Sequence, residues 1–132
     1  MYDRRAWKVR VQLVSIAFIS VLAGLWLRFD APIPPYLRDV CGGLTYVLFF
    51  ILVILAFRLR ASAFLVAAAV LVVTCSLEFL QLWHPVWLEA CRRTIPGRLL
   101  LGTTFEWTDF PPYFVGAAGG WLLLRTLNRV DR

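Results

Sequence analysis

The sequence predicts an all-α fold: a polytopic integral membrane protein whose four transmembrane helices pack as a small bundle, with an interfacial helix in the loop between helices three and four. Three observations predict it. The chain has 132 residues, of which 61% are hydrophobic and 17% charged, against about 45–50% apolar in an ordinary soluble domain. Its mean hydropathy is +0.73, and its apolar residues gather into long runs. The 14 Lys and Arg residues cluster at the ends of those runs. A single domain of this size has too little interior to hide that apolar surplus from water. These features exclude a disordered chain, a disulfide scaffold and an ordinary cytosolic enzyme.

A helix needs roughly 20 apolar residues to cross a bilayer core, and somewhat fewer when aromatic or Arg residues anchor its ends. The first span is residues 11–27, preceded by Arg4, Arg5, Lys8 and Arg10 and closed by Trp26 and Arg28. It lacks a small-x-small cleavage site and ends in Trp-Leu-Arg, so it reads as a retained helix rather than a signal peptide. The second, residues 40–57, ends at Arg58 and Arg60. The third, residues 62–83, is interrupted by Glu78 and Gln81. An outer loop, 84–110, follows, and the fourth span, 111–127, opens on Pro111–Pro112, where missing amide donors cost a helix least. All of it forms one membrane domain, 1–132.

Charge orients the bundle. Of the Lys and Arg residues, only Arg28, Arg38, Arg92, Arg93 and Arg98 fall on the side of the two longer connections. The others lie at the two termini and at the turn between spans two and three. By the positive-inside rule both termini are cytoplasmic and the longer connections face out. The net charge of +6 is thus topology and attraction to anionic lipid headgroups, and no nucleic-acid motif accompanies it. Cys41, Cys75 and Cys91 form no CxxC pair. Cys75 reads as filler in an apolar run, and Cys41 and Cys91 could meet on one side of the membrane.

Ionisable groups inside a span are expensive and need a partner or a task. Glu78 lies five residues before Trp83, about 7–8 Å below the outer end of its helix. Thr74, Glu78 and Gln81 follow i, i+4, i+7 spacing and share one face, which must point into the bundle. Arg28, Arg38, Asp39, Trp107 and Asp109 sit at the same membrane side. They can converge on Glu78 as a polar pocket, or an arginine can pair with Glu78 merely to neutralise it.

The 84–110 loop is longer than the 12–15 residues or so at which an unstructured connection becomes unusual. Its Trp, Leu and Phe residues interleave with Arg92, Arg93 and Arg98, the composition of an interfacial segment. A short helix from Pro85 to about Arg93 and a turn at Pro96–Gly97 are expected. Arginine offers a planar fork to phosphate oxygens, which gives Arg92 and Arg93 a use beyond anchoring.

Gly116 and Gly120 form a GxxxG, read either as packing inside the bundle or as a seam to a second copy or another membrane protein. His84 is the only histidine and shares no face with Glu78, so no metal is expected. No nucleotide-binding or hydrolase fingerprint is present and no cofactor is expected.

The string Ser76-Leu77-Glu78-Phe79-Leu80-Gln81-Leu82-Trp83, followed by Pro85-Val86-Trp87-Leu88-Glu89, resembles the VanZ-like superfamily of small bacterial membrane proteins. It is most similar to the domain-of-unknown-function family 2809. Arg28, Asp39, the ExxQL of Glu78–Leu82, the stretch Leu101–Asp109 and Gly116 carry the resemblance, which runs from about Arg10 to Leu127. After Asp39 the chain departs from that pattern: Cys41–Gly42 follow the acid, where the pattern has a glycine before it. The resemblance implies a bacterial cytoplasmic-membrane protein working at the cell envelope, since the superfamily's namesake is associated with low-level resistance to a lipoglycopeptide antibiotic.

The expected function is recognition of an anionic lipid or lipid-linked glycan headgroup in an outer-leaflet pocket. Arg28, Asp39, Glu78, Gln81, Arg92, Arg93, Trp107 and Asp109 would bind it. Two alternatives stand beside this. One is an envelope enzyme using Glu78 and Asp109 as acid and base. The other is a structural subunit packing through the glycine face.

Overall fold

The computed structural model describes residues 4–130, without the side chains of Arg5, Arg28 and residues 127–130. Six helices follow in order: α1 Arg4–Phe29, α2 Pro35–Phe57, α3 Ala63–Leu80, α4 Val86–Arg92, α5 Ile95–Leu101 and α6 Phe110–Val130, with a 3-10 turn at Trp107–Asp109 before the last. No strand occurs among the described residues. Three segments, Ala6–Leu27, Pro35–Phe57 and Ala63–Leu80, are long and apolar enough to cross a membrane. The 21-residue α6 is long enough, about 30 Å. Pro111, Pro112, its three glycines and Arg125 make it less apolar than the other three.

Local chemistry sets the helix boundaries. The chain leaves α1 through Asp30–Pro34, and Pro34 caps α2 with Pro35 in its first turn, a position where proline's fixed φ favours a start. α2 therefore begins five residues before the expected Val40, and Asp39 lies within it. Ser62 caps α3, accepting from the Leu65 amide at 3.5 Å. α3 ends at Leu80 rather than Trp83, with Gln81 as its C-cap.

The expected turn at Pro96–Gly97 is instead the first turn of α5. Thr94 caps that helix, its hydroxyl accepting from the Gly97 amide at 3.1 Å. Proline and glycine here mark a helix start, because Pro96 falls where no amide donor is required. Gly102, at φ 67°, ends α5 in the left-handed region.

α2 is the centre of the bundle. It touches α1, α3 and α6, and among the described residues α1 packs on α2 alone. Val47, Ile51, Leu52, Leu55 and Ala56 of α2 are buried against Leu13 and Ala17 of α1, Val66, Ala67 and Val70 of α3, and Tyr113, Ala117 and Leu124 of α6. Outward faces are apolar too: Phe18, Ile19, Leu65, Val72, Phe114, Val115 and Leu122 are all exposed. A surface of this kind is matched to lipid tails.

Glycines set the close contacts. A Cβ at Gly116 would lie 2.8 Å from the Leu44 carbonyl oxygen, and one at Gly120 would lie 3.0 Å from Ile51 Cδ1. The GxxxG of α6 is thus filled by α2 of the same chain. Rising residue numbers on both sides of this seam make α2 and α6 parallel, whereas the α3–α6 contacts Phe64–Trp121 and Glu78–Tyr113 make that pair antiparallel. The end of α1, the start of α2, the end of α3 and the start of α6 therefore share one end of the bundle. The 81–109 segment crosses that same end.

Candidate functional site

Glu78 is the pivot of that end. Its side chain is 1% exposed, one turn before α3 stops. Gln81 Nε2 and the Tyr113 hydroxyl both donate to its Oε2, each at 2.9 Å. The Glu106 amide donates to its Oε1 over a longer 3.4 Å. Among the described residues no cation lies within ion-pair distance of this carboxylate, and the only ion pairs join Glu89 to His84 and Arg92. Of the two arginines expected to neutralise it, Arg38 instead donates its Nη2 to the Ala31 carbonyl at 3.1 Å, and the side chain of Arg28 lies outside the described residues.

The other acids of this end sit close by. Asp109 is half-buried on the 3-10 turn ahead of α6. Burial, the Glu78 carboxylate, then Glu106 and Asp39, and a hydrogen bond with Glu78 push the Asp109 carboxyl up to about 6. Like charges sharing a site resist joint ionisation, so Asp109 keeps its proton to a higher pH than a free carboxyl does. Asp39 itself is exposed at the α2 end of the group.

Gln81 is buried, and its amide lies against Gly102: a Cβ there would be 2.5 Å from Nε2. The positive φ and this close approach both require glycine at 102. Gln81 Oε1 is buried with no hydrogen-bond partner. Tyr46, reaching from α2, donates to the Leu100 carbonyl at 2.9 Å and ties the end of α5 across the site.

Arg92 does something other than what its sequence position implies. It is 3% exposed. Its Nη2 donates to the Leu80 carbonyl at 2.9 Å, and its Nη1 to the Trp83 carbonyl at 3.0 Å and to Glu89 Oε1 at 2.7 Å. The Leu80 carbonyl, which also accepts from the Trp83 amide at 3.1 Å, and the Trp83 carbonyl stand at and just past the C-terminus of α3, where the helix dipole also favours a cation. Arg92 thus ties α4 back over the end of α3. Glu89, hydrogen-bonded by His84 and then by Arg92, is held below the usual carboxylate range. Arg93 is exposed and points to no described partner.

Trp107 is 70% exposed and belongs to a ring cluster. It stacks on Phe110 at 5.5 Å between centroids and meets Phe105 edge-on at 5.0 Å, with Phe79 behind both. The cluster adjoins Tyr113 through Phe110, at 6.4 Å.

The structure therefore brings Glu78, Gln81 and Asp109 together, with Asp39 within electrostatic reach. It places Trp107 on the rim and sets Arg92 apart as a cap. Sequence reasoning missed Tyr113, Glu106 and Gly102. Tyr113 carried a usable signal, since it stands four residues after Asp109 on one helical face. Glu106 acts through its backbone amide and its charge, which no side-chain pattern announces. A family model described as a protein of unknown function (DUF2809) matches residues 33–117. No solved structure matches the chain.

Proposed function

The chain belongs to the DUF2809 family, which names no activity, and we propose from the site itself that it binds the polar headgroup of a membrane lipid at the Glu78 end of the bundle. The observation that carries this reading is a fully buried carboxylate held, among the described residues, by neutral donors alone, beside a second acid poised near neutrality. A charge placed so deep needs a counter-charge, a proton or a ligand that supplies donors. The ring cluster of Phe79, Phe105, Trp107 and Phe110 suits the interface between tails and headgroups, where aromatic side chains collect.

In this reading α6 is a fourth span and the helices of the 84–110 loop lie on the bilayer. Both termini face the cytoplasm, because the basic residues favour that side. The VanZ-like resemblance argues for a bacterial envelope and an outer-leaflet ligand, a lipid or a lipid-linked glycan. Arg92 is engaged in capping α3, so a headgroup phosphate would fall to Arg28 or Arg93, and the acids would take hydroxyl or amine groups.

An envelope enzyme is the second reading, and the elevated Asp109 carboxyl beside Glu78 favours it, since unlike environments sort two carboxyls into acid and base. The subunit reading has less room. The Gly116–Gly120 seam is already occupied by α2.

Mass spectrometry of lipids that survive detergent purification separates these readings. Binding predicts one headgroup class retained by the wild type and depleted at least about tenfold in Glu78→Gln, the size expected when a hydrogen bond to a charged group is lost. An enzyme predicts an altered lipid that appears with the wild type and not with Asp109→Asn. Equal lipid content in the wild type and Glu78→Gln overturns the binding reading.

A further inference from the structure

The orphaned acceptor at Gln81 narrows what the site takes. Gln81 is 6% exposed, its Nε2 donates to Glu78, and its Oε1 has no donor among the described residues. The amide cannot be turned the other way without facing oxygen against the carboxylate. From amide geometry, Oε1 lies within about 5 Å of Glu78 Oε2. Around Glu78 there are thus a partnerless amide oxygen on Gln81, the weakly held Oε1 of Glu78 itself and the carboxyl of Asp109, which hydrogen-bonds to Glu78.

With Asp109 ionised, all three are acceptors. Tyr113 and the Gln81 amide are both directed at Glu78 Oε2, and the Glu106 amide reaches Oε1 only at 3.4 Å. Among the described residues the site is short of N–H and O–H donors and holds no cation on its carboxylates. Phosphate brings neither, and a quaternary ammonium brings charge without N–H. A sugar hydroxyl brings one donor, an added acceptor and no charge. A primary ammonium brings three donors and one charge, as a Lys side chain does. The described residues also offer no group of three His, Cys, Asp or Glu side chains fit for a metal ion.

We propose that Glu78, Asp109 and Gln81 Oε1 together bind the primary ammonium of an aminated lipid headgroup. This rests on the headgroup reading above and names the group that is read. The ammonium approaches from the Asp109 side, since Glu106 and Thr108 are exposed there while Glu78 and Tyr113 are buried behind them.

The test titrates the purified full chain in detergent with phosphatidylethanolamine, phosphatidylcholine or phosphatidylglycerol and follows the rise in Tm. The first two carry the same charges and differ in that three N–H donors of one are three N-methyl groups in the other. Phosphatidylethanolamine is expected to half-saturate at about tenfold lower concentration than the other two, as loss of hydrogen bonds from a charged group implies. Gln81→Met and Asp109→Asn should each erase that preference, so the outcome does not hang on the fold of one variant. If phosphatidylcholine or phosphatidylglycerol is as effective, and Glu78→Gln removes the response to all three, the headgroup reading stands and the ammonium is wrong. If Glu78→Gln responds to every lipid as the wild type does, the headgroup reading falls and the ammonium with it.

Discussion

Asp109 carries the clearest titration in the molecule. Its folded carboxyl sits at about 6 against an ordinary 3.8, so between these values the folded state holds a proton that the unfolded chain releases. Stability from this group is greatest below pH 4 and falls as pH rises through 6. Glu89 works in the opposite sense: its carboxyl is lowered by His84 and Arg92, and its contribution is lost only as pH drops below the ordinary carboxylate range. Between pH 4 and 7 Asp109 therefore sets the slope. Tm of the detergent-purified protein should fall across that window, and Asp109→Asn should flatten the curve and raise Tm at pH 7.5. At Arg92 the expected effect is larger. Arg92→Met removes the donor to the Trp83 carbonyl and one of the two donors to the Leu80 carbonyl and should cost about 1–3 kcal/mol, read as a lowered denaturation midpoint. Arg93→Met, at an exposed position, should leave that midpoint unchanged.

At the scale of elements, the seam between α2 and α6 is set by glycine. Gly116→Ala puts a methyl 2.8 Å from a backbone oxygen that cannot swing away, so the helices must separate. A loss of about 1–3 kcal/mol is expected from overpacking. Gly119, three residues on, has open space, and Gly119→Ala should be neutral or stabilising by helix propensity. The same seam explains why most of the bundle was legible. Long apolar runs, Pro34–Pro35 before α2, Ser62 before α3 and the double proline of α6 each state a local preference that the fold obeys. What was not legible depends on contacts distant in sequence. The end of α3 at Leu80 is tied down by Arg92, twelve residues on, which donates to the Leu80 carbonyl. Pro96–Gly97 open a helix because Thr94 accepts from Gly97. At the site, Glu78, Gln81 and Asp109 were readable from spacing and depth. Tyr113 and Glu106 complete it through α6 and the loop returning over α3, and no pattern on α3 itself could show that.

Seen as a whole, the molecule has an apolar girdle with its buried polar residues, Thr74, Glu78, Gln81 and Arg92, gathered toward one end, where four helix ends and the 81–109 segment meet. That segregation is what a bilayer selects, since buried polar groups in lipid need partners and the cheapest depth for them is near the headgroups. Cys91, exposed on α4, should react with a membrane-impermeant thiol reagent added outside intact cells, if the basic termini lie inside. Where a bound headgroup sits can be read by photo-cross-linking with a phospholipid bearing a diazirine in its headgroup, followed by peptide mass spectrometry. Adducts on residues 79–83 and 105–113 of the wild type, lost in Glu78→Gln, are the predicted result. Adducts confined to the opposite end of the bundle, at the 58–62 turn, or unchanged in Glu78→Gln, would contradict a headgroup site built on Glu78.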